Sequence, residues 1–398
     1  MRILHAADFH LRDKNIDECE KCLGFILETA KNEKIDLTVI AGDTFDSRDI
    51  KLDSLSAKLV VKTISELADI CPVVIVIGTP SHDGMAPVIL NGLFTNRDDF
   101  PSLVVADKPM QICLHGKDLL LPIGEISNPM IVLSLLPQPT KQFFNQGDIQ
   151  TSNEEIGKAM SGILAGFGAQ AADYKCPHLL VYHGSISGAK LSTGQMLTGM
   201  DIEVSVDQLK LSNADLFLCG HIHLPQELTG NVFYSGSIYA NNWGENHKHG
   251  FYIHEIKADK IKSQFIETPT RKLLRSEADF TTGDIRELDV VLYEYSPEEL
   301  TGAFIRLDLT VWQDEAVKID KEKIRGFYIS GGAIDADIRI IRVPRQVVRS
   351  ESVLKVESLR DKLAAMAAIK EETVPENILI KADGLESVPS EEVVKRAT

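Results

Sequence analysis

A chain of 398 residues with 44% hydrophobic and 25% charged side chains has ordinary globular proportions, which excludes a disordered, collagen-like or purely coiled-coil protein. Its length suits two or three domains, the largest with a core of its own. The formal charge of −16 argues against indiscriminate binding to anionic polymers, but a local nucleic-acid site remains open where divalent metals or a basic groove invert the potential.

No apolar run approaches the roughly 18 residues that a spanning helix needs, so no membrane association is expected. The opening MRILHAADFHL does not read as a signal peptide, because Asp8 and His10 interrupt its apolar stretch. Six cysteines are too sparse for a disulfide framework. Cys19 and Cys22 form a lone C-x-x-C in a charged, helical-looking stretch with no second pair nearby, and a zinc or redox role is not expected of them. The expected compartment is a reducing cytoplasm.

In chain order, short apolar runs at Arg2–His5, Leu37–Ala41, Val73–Ile77, Leu179–Tyr182 and Leu216–Cys219 read as buried strands. Helical spacing over 17–33 and 50–69 separates the first three, which makes right-handed parallel β-α-β units. Apolar runs over 103–136 and 231–256, joined by short turns, read as a partly antiparallel second set. The predicted fold class is α/β: two packed mixed β-sheets flanked by helices over residues 1–270. A small α+β capping domain comes next over 271–349, with strands at Val290–Tyr293, Ala303–Val311 and Ile338–Val343 and a short helix over 320–326. A C-terminal helix and tail occupy 350–398. Val356, Leu359, Leu363 and Met366 share one face of that helix, and the tail beyond Pro375 is polar and mixed.

The residues just after each strand of the first domain carry the chemistry. The strands end in Asp8-Phe9-His10, Gly42-Asp43-Thr44-Phe45-Asp46, Gly78-Thr79-Pro80-Ser81-His82-Asp83, His183-Gly184 and Gly220-His221-Ile222-His223. The carboxyl ends of strands in open α/β sheets converge on one crevice. A lone D-x-H is weak, and a strand-end Asp is often only a helix cap. Five strands delivering Asp and His to one crevice make a metal-site constellation. His178 falls beside these ends without a clear place, and His5, His115, His247, His249 and His254 receive no role. Mixed carboxylate and imidazole donors suit intermediate divalent ions such as Mn²⁺, Fe²⁺ or Zn²⁺.

The order D-x-H, G-D, G-x-H-D, H-G, G-H-x-H resembles the calcineurin-like metallophosphoesterases. The opening MRILHAADFHL, the AGDTFDS block and the stretch Tyr234–Glu245 (YSGSIYANNWGE) resemble the SbcD nuclease-subunit branch of that family, as does the order of core, small domain and C-terminal helix. The resemblance implies two divalent ions, with manganese the first choice. Asp8, His10 and His223 would hold one, His183 and His221 the other, and Asp43 would bridge them. His82 would stabilise the transition state or protonate the leaving oxygen. It further implies a DNA exonuclease (3′–5′) on duplex ends and an endonuclease on single strands or hairpins. The enzyme would act as a homodimer with an SbcC-like coiled-coil ABC ATPase in DNA repair.

This chain departs from the family at G-N-H-D, where Ser81 precedes His82. Either Ser81 ligates the second ion in place of asparagine, or that ion binds weakly or through water. No G-x-x-x-x-G-K-[ST] is present, so the chain is not a P-loop ATPase. Gly184–Gly188 lacks a central serine, so it is not a nucleophile elbow. Arg339, Arg342, Arg345 and Arg349 either meet DNA phosphates or form a solvated edge with paired charges. The competing readings are a phosphatase or small-molecule phosphodiesterase, and a catalytically weakened DNA-end scaffold.

Overall fold

Alternate residues of the first strand serve two different cores, and the architecture grows from that alternation. Strand β1 (Arg2–Ala6) is followed by α1 (Ile16–Asn32), β2 (Leu37–Ile40), α2 (Leu55–Ala68), β3 (Val73–Val76), α3 (Ile89–Leu93) and β4 (Leu103–Ala106). The predicted helix over 50–69 begins late, at Leu55, because Ser54 caps it by accepting from Ala57 N at 3.1 Å. In this computed structural model the described residues are 1–93, 102–116, 119–124, 127–140, 144, 153–192, 202–257, 260–284, 288–345, 353, 356–370 and 372–386.

The second set comprises β5 (Met110–His115), β6 (Leu119–Pro122), β7 (Ile131–Leu136), α4 (Asn153–Ala171), β8 (His178–His183), β9 (Ser185–Ile186), β10 (Glu203–Val204), α5 (Val206–Lys210), β11 (Leu216–Gly220), β12 (Gln226–Thr229) and β13 (Val232–Tyr234). Two long strands, β14 (Gly250–Lys257) and β15 (Lys260–Glu267), return to the first sheet. The sheets run β15-β14-β1-β2-β3-β4 and β12-β13-β11-β8-β7-β5-β6, both mixed. Ile3, Leu37, Val39, Val74 and Val76 of the first sheet pack with Leu133, Leu179, Val181, Leu216 and Leu218 of the second. Their neighbours in sequence turn outward: Leu4, Val73 and Ile75 join the helical face of α1 and α2, and Leu180, Tyr182 and Phe217 join α4. Strands buried on both faces need continuous apolar runs, which is why they were legible. Cys19 and Cys22 are fully buried members of the α1 core, and burial pushes the Cys22 thiol up to about 12, so these thiols are inert packing.

Beyond β15 lies a three-stranded sheet of β16 (Lys272–Asp279), β17 and β18, with α6 (Leu288–Leu292) and α7 (Pro297–Leu300) preceding β17 (Ala303–Trp312), and α8 (Lys321–Ser330) preceding β18 (Asp335–Val343). The segment Val290–Tyr293, expected as a strand, is mostly the helix α6, closed by Tyr293 N donating to Asp289 O at 3.2 Å. The sheet is complete as β16-β17-β18 without this segment, and its weak strand propensity is overridden. Two of the arginines of β18 and beyond are paired: Arg339 with Asp337, and Arg345 with Asp314 and Glu315. Arg345 also lies 5.2 Å from the Trp312 ring centroid, while Arg349 falls outside the described residues.

The chain divides into two compact units, Met1–Ala278 with Arg286–Leu309 and Asp320–Arg339, and Asp279–Ile285 with Thr310–Ile319 and Ile340–Thr398. The second contains two helices, α9 (Leu359–Ile369) and α10 (Glu376–Glu386), where one helix and a polar tail were expected. Ser358 caps α9, so Val356 lies ahead of the helix rather than on its face. Arg360 fastens the pair by reaching both Glu376 and Asp383.

Candidate metal centre

Among the described residues six non-glycine positions have left-handed backbone, and four are strand-end residues singled out by the sequence: Asp8 (φ 53°), His10 (43°), Asp43 (52°) and His221 (100°). Such conformations cost of order 1–3 kcal/mol each and persist where the surroundings over-determine them. Backbone straps provide that here. Asp8 N donates to Gly42 O, His10 N to Asp43 O and Leu11 N to Thr44 O, all at 3.0–3.1 Å, so the loops after β1 and β2 are sewn together. His221 N donates to both Asp8 oxygens at 2.9 and 3.0 Å, which brings in the loop after β11. The two sheets converge so tightly that a Cβ on Gly220 would collide with the Ala41 carbonyl, and one on Gly42 with the His183 ring.

Asp8, His10 and Asp43 form one buried cluster, and Asp43, His183 and His221 a second that shares Asp43. His223 lies against the first, its Nε2 3.0 Å from His10 Nε2. Its other nitrogen sits 2.5 Å from the buried carboxylate of Glu245, which also accepts from Asn241 N and Asn242 Nδ2. Glu245 ends the stretch that carries the family likeness, but no motif spacing marks it as a partner of His223. Burial opposes charging His223, but the hydrogen bond and charge of Glu245 outweigh it and hold its pKa above the usual value.

His82 is half-buried, with its ring edge-on to His10 at 4.6 Å between centroids and Nδ1 2.9 Å from Asp46 O. A hydrogen bond to that carbonyl leaves Nε2 free for a ligand. The Asp46 carboxylate, which the sequence placed at the end of the second strand without a role, groups with His10 and His82.

Ser81 is not brought to the cluster. It is exposed, and its carbonyl accepts from Arg48 N. Thr79 O accepts from both His82 N and Asp83 N at 2.9 Å, so Pro80 and Ser81 are looped out in a tight turn. Thr79, directly after Gly78, reaches the centre instead: its N donates to Asp43 Oδ1 at 2.5 Å and its hydroxyl lies 3.0 Å from Asp43 Oδ2. The buried Asp83 anchors this turn, accepting from Phe45 N and Gly78 N.

The donor set fits divalent cations. Among the described residues no lysine or arginine pairs with the buried Asp8 or Asp43. His183 Nδ1 lies 2.6 Å from Ala41 O, where a donated N–H turns the Nε2 lone pair toward Asp43 Oδ2, 3.3 Å away. Two acceptors at that distance need a positive charge between them. Without a metal, a proton answers that need: burial lowers the His183 pKa, but Asp43 and then Asp8 outweigh it and push the value up to about 9. Burial, helped by the neighbouring His223, His82 and His183, drives His10 well below its usual range against the pull of Asp43. Burial and then Asp43 raise Asp8 against His183 and His223, and His183 and His10 hold Asp43 low against its own burial.

Residues 1–225 match the calcineurin-like phosphoesterase family. The D component of nuclease SbcCD from Staphylococcus saprophyticus is 24% identical over 300 residues, 73% of this chain and 75% of that protein. Among solved structures, GAP50, the anchor in the inner membrane complex of Plasmodium, aligns over 68% of this chain and 85% of its own (TM-score 0.45, 14% identity). A dimetal phosphatase from Danio rerio aligns over 68% and 97% (TM-score 0.41, 12% identity). The family match spans more than half of the chain and contains Asp8, His10, Asp43, His82, His183, His221 and His223. With its aspartates and histidines drawn from the ends of four strands into two clusters that share Asp43, the chain belongs to the calcineurin-like phosphoesterase family.

Proposed function

We propose that this phosphoesterase is a metal-dependent DNA nuclease, the SbcD-type component of an SbcCD-like complex. The observation that carries the reading is the similarity to the D component of nuclease SbcCD, which is too long to be contained in the 225 residues of the phosphoesterase match. A minimal phosphatase does not need the small sheet and helix pair that lie beyond the core.

In this reading Asp8, His10 and His223 would hold one ion and His183 and His221 another, with Asp43 a member of both ligand sets. Divalent ions in such a pair, manganese being our choice, act as Lewis acids on the phosphate and lower the pKa of the attacking water. His82, oriented by the Asp46 carbonyl, donates from Nε2 to the phosphate or the leaving oxygen. Glu245 fixes the tautomer and direction of His223. DNA ends are the proposed substrate, with exonuclease action on duplex ends and endonuclease action on hairpins. An SbcC-like ATPase and a second copy of the chain are the proposed partners, and the cytoplasm, where its six free thiols stay reduced, is the proposed setting. Among the described residues no helix is long and apolar enough to cross a membrane.

The test compares linear duplex DNA, a DNA hairpin and nitrophenyl phosphate mono- and diesters, each with the full chain and Mn²⁺. DNA degradation that chelator abolishes is expected. Turnover of the phosphomonoester with intact DNA would assign a phosphatase instead, and no turnover of any substrate would leave a scaffold role.

A further inference from the structure

The Thr79 hydroxyl sits among three acceptor atoms. Asp43 Oδ2 is 3.0 Å away, Gln138 Oε1 2.9 Å and His183 Nε2 3.4 Å. Gln138 lies just past β7 of the second sheet, and its backbone N donates to Ile77 O at 3.2 Å, which pins that loop to the end of β3. A threonine hydroxyl carries one proton and can satisfy one of these neighbours, not three. With its Nδ1–H serving Ala41, His183 Nε2 is the nitrogen that a metal ion would take. Oxygen and nitrogen donors from both sheets therefore converge on the Thr79 hydroxyl.

The hydroxyl's distances to these three atoms, 2.9–3.4 Å, match the edges of a coordination polyhedron. An octahedral ion with bonds of roughly 2.1 Å sets neighbouring ligands about 3.0 Å apart. The family's asparagine would bring a neutral amide oxygen to this place, and Thr79 is too short to bring one.

We infer that Gln138 supplies that amide oxygen from the other sheet, and that Gln138 Oε1 and Thr79 Oγ1 together complete the coordination of the ion held by Asp43, His183 and His221. The inference rests on the two-ion reading above and deepens it. It exchanges one local ligand for two, one of them from a loop 59 residues away in sequence. Holding of the second ion thereby depends on the β3 and β7 loops staying together.

The experiment is a Mn²⁺ titration of the full chain by calorimetry, with free Mn²⁺ followed by electron paramagnetic resonance. Wild type should bind two ions. Gln138→Leu and Thr79→Val, which keep size and remove donors, should leave the tighter ion unchanged and weaken the other by 10-fold or more. Gln138→Glu should restore or exceed wild-type affinity, because an anionic oxygen replaces the amide oxygen. The retained tight ion reports that each variant is folded. Wild-type binding of both ions by Gln138→Leu would overturn the inference and leave the two-ion reading standing. So would loss of the weaker ion in Gln138→Glu, because the side chain would then act through its N–H groups. A wild type that binds fewer than two ions would overturn the two-ion reading itself.

Discussion

His223 is clamped between His10 and Glu245: its Nε2 lies 3.0 Å from His10 Nε2 and its Nδ1 2.5 Å from Glu245 Oε1. The carboxylate is buried and receives two further hydrogen bonds from the Asn241–Asn242 turn, so it cannot swing away. A carboxylate behind a metal-binding histidine fixes the tautomer and raises ligand basicity, and its loss typically costs 10–100-fold in metal affinity. Glu245→Ala is expected to weaken Mn²⁺ binding within about that range, with Glu245→Gln intermediate, since an amide oxygen still accepts from Nδ1. Equilibrium dialysis with elemental analysis measures it. Wild-type affinity in Glu245→Ala would remove Glu245 from the site.

Asp43 and His82 should fail in different ways. Asp43 belongs to both clusters, so Asp43→Ala is expected to lose metal and hydrolysis together. His82 touches the site by an edge-on ring contact with His10, and its Nδ1 is taken up by the Asp46 carbonyl. His82→Ala is therefore expected to keep its metal content and to lose turnover by roughly 10²-fold or more. Metal content and single-turnover rates on the same samples separate the two variants. A His82→Ala protein stripped of metal would make His82 a ligand.

The five strand ends were legible because buried parallel strands are short apolar runs, and each ends abruptly in Gly, Asp or His. Glu245 was not, since nothing in its spacing from His223 encodes the contact. It depends on how the Asn241–Asn242 turn folds back. The turn after β3 was misread for a different reason. Counting back from His82 selects Ser81, while counting forward from Gly78 selects Thr79, and only the folding of Pro80–Ser81 out of the loop decides between them. Gln138 had no motif at all, because its partner lies in the other sheet. In the C-terminal unit, α10 carries polar and apolar residues without a clean stripe, and its pairing with α9 through Arg360 is a tertiary effect.

Acid sensitivity is expected from a histidine pair between the sheets. His5 Nε2 lies 3.1 Å from Cys219 O across the gap, and His254 Nε2 3.3 Å from His5 Nδ1. Burial pushes His5 down from 6.5 to about 3 and drives His254 well below its usual value as well. Above pH 6.5 both are neutral folded or unfolded, and the folded state bears no penalty. As pH falls below 6.5 the unfolded chain takes up protons that the folded chain refuses, so stability declines until the folded pKa is reached. At pH 5 the loss from His5 is about 2 kcal/mol. His5→Gln, which keeps a donor for the Cys219 carbonyl, is expected to reduce the drop in unfolding free energy between pH 7 and pH 5 by about that amount. Denaturant titrations at the two pH values test this, and parallel curves for the two proteins would refute it.

The last prediction concerns α9 and α10. No residue of α9 is buried, and Met366 and Ile369 remain 48% and 52% exposed on it. On α10, Ile380 and Leu385 are 61% and 49% exposed. A helix pair held together by Arg360 at its surface and showing this much apolar area has the character of a docking element. Helix-in-groove recognition uses anchors at such i, i+3 and i+7 positions, and in the proposed complex the groove belongs to the coiled-coil base of the ATPase. Truncation after Arg349 is expected to leave the melting temperature and Mn²⁺-dependent hydrolysis unchanged while abolishing co-purification with the SbcC-like ATPase. Substituting Met366 and Ile369 by Ser in the full chain should weaken the association without removing the helices, which circular dichroism will verify. If the truncated chain melts well below wild type, the helices stabilise their own protein, and if it still carries the ATPase, the docking surface lies elsewhere.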